Sequence, residues 1–249
     1  MSVLFLSYLA VFLVDILNFA GSRKFIEDFT VPLMWNLLFK EASLIEYLQW
    51  TMLVILTLSS AFLAYKNRGV SDDVSRFWAG FALAGMLMFL EDTIDVRNYL
   101  LRSSIEWSWK TLNILETFYF LLLGLVPLYF FIKYRRTIYQ TTTTLKLLIV
   151  GFLFYGMAAF ISGPADLTSF NYHLSNAIFD LTVFLGGEEL ELIYNETDQH
   201  LNELRDGNYM SINYRLVDFL VEESLELIGA TFLASGAVSY LSEDTPKEK

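Results

Sequence analysis

Asp15, Glu46, Glu91, Asp92, Asp95, Glu116, Glu222, Glu223 and Glu226 interrupt stretches that are otherwise apolar, with Asp218 at the edge of the last one. In helices, Asp218, Glu222 and Glu226 at i, i+4 and i+8 form one stripe. Glu91 and Asp95 form another, with Asp92 beside it. Amides accompany the acids at similar spacing: Asn113 with Glu116, Gln49 with Glu46, and Asn18 with Asp15. A charge placed in hydrocarbon costs a few kcal/mol by insertion scales, so such acids face a bundle interior or a wet cavity and find partners. Many like charges in a low dielectric do not all stay ionised: some are protonated, paired or bound to a cation. Carboxylate oxygens suit Ca²⁺, Mg²⁺ or Mn²⁺, and the candidate ligands are Glu91, Asp92, Asp95, Glu116, Asp218, Glu222, Glu223 and Glu226. Arg97, Arg102, Lys110 and Arg215 are candidate internal counter-charges. The plainer reading is that carboxylates near helix ends bond backbone, arginine and water, and Asp15 and Glu46 lie nearest to it.

These acids are positioned by long apolar segments. The chain of 249 residues is 55% hydrophobic and 18% charged, outside the range of ordinary soluble domains. A hydrocarbon core about 30 Å thick takes roughly 20 helical residues. Stretches of that kind run near 3–20, 44–65, 77–96, 112–132, 145–165 and 216–241. They are continuous rather than alternating in polarity, which selects helices over barrel strands. The expected fold is therefore all-α: a polytopic membrane protein of about six transmembrane helices in an up-and-down bundle, with 1–249 as a single transmembrane domain. The N-terminal run lacks a positive flank and carries Asp15, so it reads as a retained first helix rather than a signal sequence.

Lys133, Arg135, Arg136 and Lys146 form one basic connection, and Lys66, Arg68 and Arg76 another. The positive-inside rule then places both termini in the cytoplasm. Up-and-down topology gathers the acids into the extracytoplasmic leaflet. About 14 uncharged residues precede Glu91 and about 16 follow Glu226, roughly 21–24 Å of helix, which sets them somewhat inside the boundary. Trp35, Trp50, Trp107 and Trp109, with Tyr65, Trp78, Tyr134 and Tyr240 toward the other side, suggest aromatic belts. The connection 166–215 is the one sizeable extramembrane element. Within it Leu190, Ile193, Thr197, Leu201 and Leu204 recur at helical spacing among acids, an acidic amphipathic helix.

Several functions are excluded by composition. A net charge of −11 argues against nucleic acid as partner. With no cysteine there is no iron–sulfur cluster or disulfide. His173 and His200 both fall in the long connection, so no haem is held between helices, and no Glu-x-x-His pair offers a di-iron centre. Gly80 with Ala84, and Ala230 with Ala234, have helix-packing spacing.

Glu91-Asp92-Thr93-Ile94-Asp95 resembles a fragment of the Asn-Asp-x-x-Asp motif of intramembrane prenyltransferases, in which magnesium bridges a diphosphate. The leading Asn and the further Asp are missing, and those departures set the family aside.

The expected function is binding, sensing or transport of a cation, metal or proton, at an acidic cavity, with the lipid bilayer as surroundings. The alternative is a non-catalytic subunit or assembly factor of a larger membrane complex, or a homo-oligomer. An intramembrane enzyme acting on lipid ranks behind both, and no catalytic residue is assigned.

Overall fold

The computed structural model describes residues 1–27, 29, 31–40, 42–94, 96, 99, 109–138, 141–162, 169–204 and 211–243. Regular structure among them is entirely helical. Helix α1 (Ser2–Val11) runs on as a π-helical turn, Phe12–Ile16, followed by a 3₁₀ segment, Phe19–Phe25. Then come α2 (Met34–Phe39), α3 (Leu44–Lys66), α4 (Asp72–Ile94), α5 (Trp109–Ile138) and α6 (Thr142–Ser162). Helix α7 (Phe170–Leu204) and the single turn α8 (Ile212–Arg215) precede a second π-helical stretch, Leu216–Glu222, which continues into α9 (Glu223–Glu243).

Among the described residues four stretches are long and apolar enough to cross a membrane: Met34–Lys66, Asp72–Ile94, Ile114–Tyr134 and Thr142–Ile161. Ser2–Ile16 with Phe19–Phe25, bent by 93°, makes a fifth if the pair counts as one span. The first expected span is thus a bent pair. Asn18 and Ala20 take left-handed backbone (φ 42° and 54°), as does Gly21; the first two are unusual for residues carrying a Cβ. The last expected span, 216–241, is not among these four. It divides into the π-helical turn and α9, whose buried Gly229, Ala230, Ala234, Gly236 and Ala237 make it less apolar and suit close contact with other helices.

The chain forms two compact units, Met1–Tyr47 with Thr168–Ser224, and Leu48–Leu167 with Leu225–Lys249. In the first, Ile16, Val31, Leu33, Trp35, Leu190, Tyr194 and Leu216 are buried together. The amphipathic pattern expected in the long connection is the α7 face that supplies Leu190, Tyr194, Thr197 and Leu201 to this interior. Gly187, at φ 73°, interrupts α7 just before that face. Burial pushes the Tyr194 phenol up to about 12, so it packs as a neutral group. His173 and His200 are exposed, on α7 rather than in a loop.

The interior of the second unit is aromatic and aliphatic: Leu53, Leu56, Phe77, Trp78, Phe81, Leu148 and Leu233 among others. Phe77 stacks on Phe81 at 4.4 Å between centroids, and Trp78 meets Tyr240 at 5.1 Å. Trp35, Trp78, Tyr134 and Tyr240 are therefore buried in their units rather than set in a belt at the lipid interface, whereas Tyr65 is exposed.

Candidate functional site

Four helices of the second unit enclose a cavity of about 380 Å³, within the size range of small-ligand pockets. Its walls are mostly apolar: Met88 from α4, Leu123, Pro127 and Phe131 from α5, and Phe152 and Ala159 from α6. Polar side chains enter at one end. They are Glu91 and Asp92 near the end of α4, Tyr155 on α6 and Glu226 near the start of α9.

Gln49, on α3, ties two of these acids together. Its amide nitrogen donates to Asp92 Oδ2 and to Glu226 Oε2, each at 2.6 Å. Both amide hydrogens are thereby used, and the two carboxylate oxygens stand no farther apart than twice that distance. The Tyr155 hydroxyl donates to the same Asp92 oxygen at 3.0 Å. Beside them Tyr119, on α5, donates to Glu91 Oε2 at 2.5 Å. Gln49 is 1% exposed, and its Oε1 has no hydrogen-bond partner among the described residues. A shielded knot of oxygens with neutral donors is suited to holding a positive charge or a mobile proton.

One wall of the cavity is thin. Gly124 on α5 and Gly156 on α6 both line it, and a Cβ added at either would meet nothing within 4 Å. Leu128, Ile149 and Leu153 on the same two helices line the cavity and are exposed. The cavity therefore has a side opening between α5 and α6.

Of the residues expected from sequence to act as ligands, Glu91, Asp92 and Glu226 come together at this cavity. Glu116 is buried on α5 but is not part of its lining. Asp218, Glu222 and Glu223 belong to the first unit and are half-buried there. Asp218 and Glu222 lie on the π-helical stretch, where bonds reach from i to i+5. Residues four apart no longer stack as in an α-helix, so the expected stripe from Asp218 to Glu226 is not continuous. Asp95, Arg97, Arg102, Trp107 and Asp166 lie outside the described residues, as do the side chains of Trp109, Lys110, Asn113 and Ser162. Among the described residues no three of the Asp, Glu and His side chains stand close enough to hold a metal ion.

Two of the remaining acids serve helix starts. Asp15 is fully buried, and its two oxygens accept the amides of Met34 at 2.7 Å and Trp35 at 2.9 Å, the first residues of α2. Helix starts leave amides without intrahelical acceptors, and an anion there is favoured. Arg23, also buried, donates to the Asp15 carbonyl at 2.7 Å and pairs with Glu189 at 2.9 Å. Its charge thus sits against carbonyls at the end of the π-helical turn. Glu46 accepts from the Ala42 amide, while Ser43 Oγ accepts from the Glu46 amide, an arrangement close to a capping box. Asp15→Asn is expected to lower the unfolding free energy by about 2 kcal/mol, one hydrogen bond to a charged group. An unshifted thermal midpoint in that variant would remove Asp15 from the role of cap.

Among the described residues the chain is all-helical, with four to five helices long and apolar enough to cross a bilayer, consistent with an integral multi-pass membrane protein. Its second unit carries an apolar cavity with acids at one end. No family model, curated protein or solved structure matches it.

Proposed function

We propose that the protein is an integral membrane protein of six passes, the bent N-terminal pair and α9 included, that binds a cation where Asp92 and Glu226 converge. In this reading both termini are cytoplasmic and the acids occupy the extracytoplasmic leaflet, as the basic connections suggest. The observation that carries it is the shared amide of Gln49, bonded at 2.6 Å to a carboxylate from each of two helices distant in sequence. Like charges this close disfavour joint ionisation. A cation or proton between them relieves the repulsion, and Gln49 and Tyr155 supply bonds without adding charge.

Glu91 lies next along the cavity and acts as a second acceptor. The opposite end, with Phe131 and Phe152, offers no polar relay through the bilayer, which favours binding or sensing over passage. The donor set of two carboxylates, an amide and a phenol suits a proton or an ammonium better than a bare metal ion, which takes six or more oxygens in the case of calcium.

The test is titration of the purified protein with methylammonium, potassium and calcium, following thermal stabilisation. We expect at least one of these to stabilise the wild type, and Asp92→Asn and Glu226→Gln each to weaken that response at least tenfold. A response that persists unaltered in both variants would place the cation elsewhere and end this assignment.

A further inference from the structure

We infer that the ligand of this cavity is an amphiphilic amine: a hydrocarbon tail lying along α5 and α6, with an ammonium head at Asp92 and Glu226. The inference deepens the cation reading and rests on it. It begins from the shape of the cavity, which an inorganic cation does not explain. A metal ion or proton needs only the polar end, yet the lining continues along α5 from Phe120 to Phe131, roughly 16 Å, and along α6 from Tyr155 back to Ile149, roughly 9 Å. Everything beyond the first turn is aliphatic, aromatic or glycine.

Charge sets the sign of the head. Glu91, Asp92 and Glu226 line the polar end, and no Lys, Arg or His is among the described lining residues. A fatty acid or phosphate head is thereby disfavoured, because it would add an anion to three carboxylates in a poorly solvated place. An ammonium carries three N–H donors and no acceptor. That matches the acceptors on hand, the Asp92 and Glu226 carboxylates with Gln49 Oε1 in the same knot.

The route of entry follows from the glycines. With no side chain at Gly124 or Gly156, and nothing within 4 Å of a Cβ added at either, the α5–α6 wall is open to the side. Both helices present exposed apolar residues there, Leu128 and Leu153 among them. A tail already dissolved in lipid enters sideways, without crossing water.

The experiment uses the whole protein in lipid nanodiscs, with empty nanodiscs correcting for partition into lipid. Dodecylammonium, methylammonium and dodecanol are titrated by calorimetry against wild type, Gly156→Leu, Gly124→Leu and the double variant Asp92→Asn/Glu226→Gln. The leucines place a side chain in the cavity wall where a Cβ meets nothing within 4 Å. We expect dodecylammonium to bind wild type at least tenfold more tightly than either methylammonium or dodecanol, and all three variants to lose at least tenfold of that affinity. Methylammonium binding as tightly as dodecylammonium, with both leucine variants unaffected and the acid variant silent, would overturn the amphiphile while leaving the cation site standing. Dodecanol binding as tightly as dodecylammonium, indifferent to the acid variant, would overturn both. Loss of binding in the acid variant alone, with dodecylammonium still preferred, would overturn the placement of the tail along α5 and α6.

Discussion

Gly229→Leu is expected to destabilise the second unit by about 3 kcal/mol or more, the upper range for forcing atoms into a packed interior, and to weaken cation binding with it. A Cβ built at Gly229 would lie 2.8 Å from the Tyr155 amide nitrogen and 3.0 Å from the Gly151 carbonyl oxygen. Both are backbone atoms of α6 and cannot swing aside. At Gly151 the converse holds, with the Leu233 backbone nitrogen 2.9 Å from an added Cβ. The backbones of α6 and α9 thus touch through paired glycines, the close approach small residues permit between helices. Because Tyr155 also donates to Asp92, pushing α6 away disturbs the acid pair directly. Gly156→Leu, one residue further along α6, is the control. A Cβ at this position meets nothing within 4 Å, and the substitution removes a helical glycine that costs about 1 kcal/mol relative to alanine, so stability should be unchanged or slightly higher. Thermal unfolding in one detergent reads both variants. Equal losses in the two would show that the effect belongs to the leucine side chain in general, not to the close approach of α6 and α9.

Span location was legible where burial in lipid alone decides it. Helices α3 to α6 are continuous apolar runs, and length suffices to find them. The first span was not, because its bend depends on Asn18 and Ala20 taking backbone conformations that their side chains do not favour, held in part by Arg23, whose amide bonds Asn18 Oδ1. Asp15 had the pattern of an intramembrane acid, yet its partners are amides about twenty residues on, at the start of a six-residue helix with no side-chain cap of its own. Glu46 did carry a local signal: Ser43-x-x-Glu46 before an apolar run is a capping sequence. The first half of α7 lies within the stretch that sequence assigns to an extramembrane connection, although Phe170, Leu181, Phe184 and Leu185 are exposed there and His173 and Asp180 are its basic and acidic residues.

For the acids, counting residues gives depth along a helix but not direction around it. Glu91, Asp92 and Glu226 were placed at one level by depth, and they do share a cavity. Asp218 and Glu222 share the expected i, i+4 stripe with Glu226, but they lie on a π-helical turn that alters their rotation. Tyr119 and Tyr155, which donate to the cavity acids, carry no charge and interrupt no pattern. An intramembrane tyrosine near the depth of a carboxylate is the available signal, and it becomes decisive only once helix pairing is known.

Gln49→Leu is expected to cost about 3 kcal/mol and to raise the demand for a cation at the same time. Interhelical hydrogen bonds between neutral groups in membranes average only about 0.6 kcal/mol, because the separated helices find other partners. Bonds to charged groups are worth about 1.5–3 kcal/mol each, and Gln49 makes two of them. Leucine keeps the bulk but takes away the donor that both carboxylates share. Their repulsion then depends on whatever proton or ammonium lies between them, so the stabilisation produced by saturating methylammonium should be larger in Gln49→Leu than in wild type. The charge argument can be isolated by repeating the substitution in an Asp92→Asn/Glu226→Gln background. There the acceptors are neutral amides, and the loss should shrink to about 1 kcal/mol or less, a coupling of the size that contacting residues show. The same loss in both backgrounds would mean that Gln49 matters for packing, and that the two acids are already neutral without help from a ligand.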